Sequence, residues 1–263
     1  MGVVPRFVPP LPPKAIIAHR GASAYSAENT LTAFRAAAAL GAHAIELDVK
    51  RTRDGRVVVM HDATVDRTAR HGRGAVRALT YAQLQAFNVG PHARPERIPT
   101  LEEVLDAVGR RLLVNIELTN YDAPTDDLPW RVARIVRQWG YPERVWVSSF
   151  NPVALWRFGQ ACPEVSVGYL TLPRRGNVTV YRLLARWLPH AALHPHRRQV
   201  DAPWVRAAFA LGRRVFPYTV NAYPALRATL ARAWVDGVFT DRPDVALQAR
   251  AQVLASLGGQ HGR

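Results

Sequence analysis

The sequence predicts one α/β domain folded as a (β/α)8 (TIM) barrel, with a hairpin-like element after the second strand, and three observations predict it. Short apolar runs alternate with amphipathic segments almost throughout, the pattern of parallel sheet built from βα units. The length of 263 residues suits one barrel, which occupies about 250 residues. Ionisable residues gather at the C-terminal ends of the apolar runs, the end at which a barrel presents its active-site loops. The expected unit is therefore a single domain over 1–263, with its core at about 15–245 behind a proline-rich arm, 1–14.

The elements follow in order. The arm holds Pro9, Pro10, Pro12 and Pro13 and reads as extended chain. Strands are expected at 15–18, 44–49, 56–60, 112–118, 145–148, 165–170, 191–193, 215–220 and 237–240, most of them too short and too apolar to be anything but buried strand. Helices are expected at 29–40, 101–108, 130–139, 152–160, 181–188, 202–211 and 224–233. Gly41, Gly109, Gly140 and Gly212 stand where four of them stop, and Thr100 with Glu103 makes a capping box for another. Nine strand candidates exceed the eight of a barrel, and the gap between the second and third is too short for a crossover helix. Asp54-Gly55 in that gap signals a two-residue hairpin turn, which would set Arg53 opposite Arg56 and Asp48 opposite His61. A parallel ninth segment is the alternative. The stretch 64–90, with Arg67, Tyr81 and Phe87, has the length of a lid, and 258–263 reads as a frayed end.

Composition narrows the class. Basic residues outnumber acidic ones 35 to 20, a formal charge of +15, and only Lys14 and Lys50 are lysine. Such a charge attracts phosphates, nucleic acid and anionic membrane, yet the arginines never run beyond doublets and read mostly as solvated faces. The single cysteine, Cys162, excludes a disulfide framework and a cysteine-based zinc cluster, and it reads as a packing residue. No apolar stretch reaches the roughly 18 residues that span a bilayer. The N-terminus lacks a secretory leader pattern, so the expected location is cytoplasmic.

The chemistry concentrates at strand ends. His19 and Arg20 end the first strand, Glu46 and Asp48 the second, His61 the third and Glu117 the fourth. Residues i and i+2 of a strand share a face, so Glu46 and Asp48 converge. Two buried carboxylates repel and demand a cation or a shared proton, and a third makes the cation the better answer. Oxygen-only ligation suits a hard divalent ion, Mg²⁺ or Ca²⁺. Two histidines beside it suit paired acid and base, and the planar fork of Arg20 suits a phosphate. Together these are the parts that cleavage of a phosphodiester uses.

The segments HRG, ENT (Glu28-Asn29-Thr30), ELD and HD within 16–62 resemble the glycerophosphodiester phosphodiesterase family. The resemblance continues through Asp66-Arg67-Thr68, Ile98-Pro99-Thr100-Leu101, Glu117, Ser149-Phe150, Tyr218-Thr219-Val220-Asn221 and Asp236 to Pro243, and so covers about 15–245. It implies a metal-dependent barrel that releases sn-glycerol 3-phosphate from deacylated phospholipids, the substrate's glycerol 2-hydroxyl attacking phosphorus to give a cyclic phosphate that water then opens, with direct attack by water as the alternative. It makes Glu46, Asp48 and Glu117 the ligands of a divalent metal ion, His19 and His61 the acid–base pair, and Arg20 a phosphate contact. Glu28, His194 and Tyr218 are further expected substrate contacts, Glu28 with bracing of Arg20 or capping of the next helix as its alternatives. The chain departs from the family pattern at Thr119, where a lysine is usual, at Tyr218 for tryptophan and at Ala27 for proline.

Two other readings remain. A lysophospholipase D-like enzyme would need an apolar groove, for which Trp130, Trp187 and Trp204 are candidates. A basic phosphate- or nucleic-acid-binding protein would use the +15 charge, but it has no need of three converging carboxylates. The expected partner is a small glycerophosphodiester and not nucleic acid, with peripheral contact to anionic membrane open and no expectation for oligomeric state.

Overall fold

In a computed structural model of the chain, described for residues 7–173, Thr179, Tyr181, Leu183, Ala185, Leu188 and 190–258, eight parallel strands form the wall of a barrel. The wall strands are β1 (Ala15–His19), β2 (Ala44–Arg51), β4 (Leu113–Leu118), β5 (Val145–Ser149), β6 (Ser166–Thr171), β7 (Ala192–Pro195), β8 (Arg214–Val215) and β9 (Gly237–Thr240). Their hydrogen-bonded order is β8-β7-β6-β5-β4-β2-β1-β9. The gap between β8 and β9 is closed by Asp236 N–H to Val215 O at 2.9 Å, Phe239 N–H to Pro217 O at 3.0 Å and Val220 N–H to Phe239 O at 2.9 Å. The expected strand 215–220 is regular only at its start, because Pro217 has no N–H to give the ladder.

The ninth segment, β3 (Val57–Val59), is an antiparallel partner of β2 outside the barrel path, the hairpin-like element that the spacing predicts. Its register differs by one residue. Arg53, Asp54 and Gly55 form a three-residue loop, with Gly55 at φ +83° and Thr52 N–H bonded to Arg56 O at 2.9 Å. Asp48 therefore bonds through its carbonyl to Met60 N–H, and His61 lies one place further along.

Helices cover the outside. They are α1 (Leu31–Ala39), α2 (Tyr81–Gln85), α3 (Leu101–Val104), α4 (Leu128–Trp139), α5 (Pro152–Ala161), α6 (Pro203–Ala210), α7 (Tyr223–Leu230) and α8 (Pro243–Gly258). Thr30 caps α1, and the capping box of Thr100 and Glu103 starts α3, which continues as a wider turn over Leu105–Gly109. The helix α8 carries no clear signal in the sequence. Its buried face is made of Ala246, Ala249 and Val253, and small residues give a weak apolar stripe. The expected helix 181–188, the doublet Arg174–Arg175, Trp187, His261 and most of the tail lie wholly or partly outside the described residues. No helix among the described residues is long and apolar enough to cross a membrane.

Alternation along each strand sorts the barrel interior. Ala15, Ile17, Ala44, Leu113, Trp146, Ala192, Phe216 and Phe239 point inward and fill the lower layers. The arm closes that end: Phe7 packs its ring 5.7 Å from Trp146 and 5.6 Å from Phe216, and Leu11 joins the same cluster. Cys162 is a buried packing residue at the end of α5. The stretch after β3 does not fold over the mouth as a lid. It packs as a satellite on its own small core of Val58, Met60, Val65, Val76, Leu84 and Ile98, with Tyr81 and Phe87 against that core.

Three partly or fully buried histidines tie stability to pH. Burial holds His43 down to about 4 and both His190 and His194 to about 3. The unfolded chain binds those protons nearer 6.5, so their contribution is complete above that pH and is lost as the pH falls toward 4 and 3. Relative to the unsubstituted protein, His194→Leu is expected to gain in urea midpoint as the pH falls from about 7 to 4.

Candidate active site

At the mouth of the barrel the inward positions turn polar. On β2 the inner face runs Ala44, Glu46, Asp48, and on β4 it runs Leu113, Asn115, Glu117; the two strands pair residue for residue in that order, with Lys50 and Thr119 following at the top. Glu46, Asp48 and Glu117 are all buried, and one oxygen from each lies within 4.8 Å of the others. Burial, then the charges of Asp48 and Glu117, push the Glu46 carboxyl well above its ordinary range. Burial and Asp48 push Glu117 up to about 8. Oε1 of Glu46 is buried without a hydrogen-bond partner. A hard divalent cation resolves both the repulsion and the orphaned oxygen, and the donor set, three carboxylates without sulfur or imidazole, fits one.

The turn after β1 is shaped to meet this cluster. Gly21 sits at φ +81°, and a Cβ there would lie 2.6 Å from the Ala33 backbone, so only glycine lets α1 start against the turn. The preceding Arg20, itself at φ +55°, directs its N–H to Glu46 Oε2 at 2.9 Å. Its guanidinium bonds Glu28 at 2.9 Å and lies 3.2 Å from Asp48 Oδ2. Asn29, at φ +60°, donates its amide to Asp48 Oδ2 at 2.9 Å.

Each histidine is oriented by a carboxylate. Nδ1 of His19 is 2.7 Å from Asp241 Oδ1, and its Nε2 is 4.0 Å from Glu46 Oε2. Against the upward push of burial, the bond from His19 and those from Asn221 and Ser23 hold the Asp241 carboxyl below its ordinary range. Nδ1 of His61 is 2.6 Å from Asp62 Oδ1. Bonds from Arg67, despite some burial, and from His61 hold Asp62 at about 2. Arg67 forks across two carboxylates, Asp62 at 2.6 Å and Glu28 at 2.7 Å, joining His61 to Arg20 through four ionic contacts.

A cavity of about 210 Å³ opens over the cluster. His19, Arg20, Glu46, His61 and Glu117 form its charged side, and Phe150, Leu170, Leu172, Tyr218 and Phe239 its apolar side. Of the expected substrate contacts, Arg20 and Tyr218 border it, and the Tyr218 hydroxyl donates to Thr171 O at 2.7 Å. Two do not border it. Glu28 is spent on Arg20 and Arg67, which is the bracing role, while Thr30 does the capping. His194 is fully buried below the floor, its ring centroid 4.8 Å from that of Phe239 and 5.8 Å from that of Phe216, in space that Gly168 leaves open. Trp130 and Trp204 are absent from the lining as well, and Trp204 packs against Tyr181.

At Thr119 the structure supplies a cation from the neighbouring strand. Lys50 Nζ donates to Thr119 O at 2.7 Å and to Thr119 Oγ1 at 3.0 Å, one step above the Asp48–Glu117 pair. Burial lowers its pKa, and Asp122, Asp48, Glu117 and Asp62 resist that shift.

The family pattern of the glycerophosphoryl diester phosphodiesterases matches residues 19–245. The chain belongs to this family. It is 34% identical over 237 residues to a glycerophosphodiester phosphodiesterase of Caldanaerobacter subterraneus subsp. tengcongensis, covering 88% of this chain and 96% of that one. Among solved structures it is similar to the glycerophosphodiester phosphodiesterase of Agrobacterium tumefaciens C58, with a TM-score of 0.76, 25% identity and coverage of 89% and 99%. It is also similar to an Oleispira antarctica phosphodiesterase in complex with the product sn-glycerol-3-phosphate, with a TM-score of 0.74, 26% identity and coverage of 90% and 96%.

Sequence reasoning did not single out Asp241, Asn29, Lys50 or Tyr121 as site residues. Asp241 follows the last strand directly, so the strand-end rule that selects Glu46 and Glu117 would have selected it too. For Asp241→Asn, kcat is expected to fall about 10²- to 10⁴-fold through loss of His19 orientation, with metal affinity unchanged in a calorimetric titration. Lys50→Thr is expected to lower kcat/KM tenfold or more, and Lys50→Thr with Thr119→Lys to recover most of it, since the two side chains meet at 3.0 Å and the exchange keeps one ammonium between them.

Proposed function

We propose that this member of the glycerophosphodiester phosphodiesterase family hydrolyses glycerophosphodiesters to sn-glycerol 3-phosphate and an alcohol, with a divalent ion, Mg²⁺ or Ca²⁺, held by Glu46, Asp48 and Glu117. One observation carries the reading: three buried carboxylates crowd together beneath a cavity that two carboxylate-oriented histidines and an arginine also line. The ion, when bound, supplies charge neutralisation at the phosphate oxygens.

The remaining work falls to the protein's own groups. His19 and His61 each have Nδ1 committed to a carboxylate, which leaves Nε2 of each as the atom that exchanges protons with substrate. One takes the proton of the glycerol 2-hydroxyl as it attacks phosphorus and the other gives one to the leaving alkoxide, and the two exchange roles as water opens the resulting cyclic phosphate to sn-glycerol 3-phosphate. In direct hydrolysis the proton taken is that of the attacking water. Arg20 faces the same cavity with a side chain fixed by Glu28 and Asp48, so it meets phosphate without first losing conformational freedom. The apolar side, Phe150, Leu170, Tyr218 and Phe239, offers carbon–hydrogen surface a dry wall. At about 210 Å³ the cavity is smaller than the roughly 300–1,000 Å³ typical of larger organic ligands, which favours a small diester over a lysolipid.

The deciding experiment is release of glycerol 3-phosphate from glycerophosphocholine and glycerophosphoethanolamine with Mg²⁺, with Ca²⁺ and after chelation. Release abolished by chelator and restored by one of the ions is the expected result. No release under any condition, alongside turnover of lysophosphatidylcholine, would transfer the assignment to lysolipids.

A further inference from the structure

We propose that Tyr121 is a positioning residue for the ligand carboxylate Glu117, a role that rests on the divalent-ion reading above. Each carboxylate of the cluster has one oxygen held by a protein donor: Glu46 Oε2 by the Arg20 N–H at 2.9 Å, Asp48 Oδ2 by the Asn29 amide at 2.9 Å, and Glu117 Oε1 by the Tyr121 hydroxyl at 2.8 Å. Holding one oxygen turns the other toward the centre of the cluster, and such outer contacts fix the aim of a metal ligand. Arg20 and Asn29 come from the β1–α1 turn. Tyr121 comes from the opposite side, the loop between β4 and α4.

Of the hydroxyl's neighbours, Phe150 N–H at 3.3 Å can only donate to it, and the Ser149 hydroxyl gives its own proton to Leu118 O at 2.7 Å and accepts from Asn151 N–H at 3.0 Å. The Tyr121 O–H therefore gives its proton to Glu117 Oε1 at 2.8 Å. The loop is pinned just before Tyr121, and one of the bonds there crosses it to Asp126. Thr119 is held by Lys50 and by its own bond to Val49 O at 2.9 Å, and Asn120 donates to Asp126 at 2.8 Å.

Packing does not account for the side chain. Tyr121 is 43% exposed and belongs to none of the apolar clusters of the core, and its ring meets that of Phe150 edge-on at 5.8 Å. A large aromatic residue left so open at its ring and yet buried at its hydroxyl is placed for the hydroxyl. Through Phe150, which lines the cavity, it also links the aim of Glu117 to the apolar wall.

The test is calorimetric titration of Mg²⁺ and of Ca²⁺ into the full chain without substrate, for the unsubstituted protein, Tyr121→Phe and Tyr121→Leu. Tyr121→Phe keeps the ring and removes only the donor. The expected result is a Kd raised about 10- to 100-fold in Tyr121→Phe, a similar rise in Tyr121→Leu, and an unchanged melting temperature for Tyr121→Phe. Turnover should then return close to normal at saturating metal, a rise in metal requirement without a matching loss of kcat. Binding by Tyr121→Phe within twofold of the unsubstituted protein overturns the proposal and leaves the ion reading intact. Absence of binding by the unsubstituted protein overturns the ion reading and this one with it.

Discussion

Three carboxylates on the inner face of two adjacent strands are the constraint on which the rest of the mouth depends. At separations below 5 Å and an effective dielectric of about 20, each ionised pair repels by about 3 kcal/mol, and desolvation adds to that. The protein answers with fixed positive charge and fixed dipoles. Arg20 reaches two of the three carboxylates through its backbone and guanidinium, and the strained backbone at Arg20, Gly21 and Asn29 is what brings those donors close. Even so, Glu46 and Glu117 remain pushed toward protonation, so an ion that binds the ionised cluster must displace protons and binds more tightly as pH rises.

Around that cluster the ion pairs act on orientation more than on stability. Arg67 is half exposed, and surface pairs of its kind contribute about 0–1 kcal/mol each. Its two carboxylates, however, stand directly behind His61 and Arg20. Fixing both ends with one planar guanidinium makes the histidine of the β3 side and the arginine of the β1 side parts of one body, which a flexible lysine ammonium cannot do with the same geometry.

The fold and much of the site were legible because barrel geometry converts sequence position into place. A polar residue ending a buried strand can only be at the mouth, so His19, Glu46, Asp48 and Glu117 announce themselves. The same rule misplaced His194, because inward-facing residues near a strand end include those one layer down. Gly168 on the neighbouring strand leaves room for its ring below the floor, and nothing local in the sequence distinguishes the layers. The hairpin was readable from Asp54-Gly55, but its register was not, since the same pair serves a two-residue turn and a three-residue loop with Gly55 left-handed. Tyr121 was beyond reach for a different reason: its role depends on a loop conformation set by Lys50 and the Phe150 backbone, both distant in sequence.

The two ends of the barrel explain why such a crowded site can hold its shape. The strand parity that presents Glu46 and Asp48 at the mouth also presents Ala44 below them, and likewise Leu113 below Glu117. Small and apolar residues there allow Trp146, Phe216 and Phe239 to meet across the interior, and Phe7 of the arm seals them from below. A close-packed floor has little freedom to relax, so the repulsion above it cannot be relieved by moving strands apart. It is relieved instead by charge and protons: the donors of Arg20 and Asn29, protonation of Glu46 and Glu117, or a bound cation. The loops contribute Phe150 and Leu172 to the cavity, and the strands contribute the carboxylates Glu46 and Glu117.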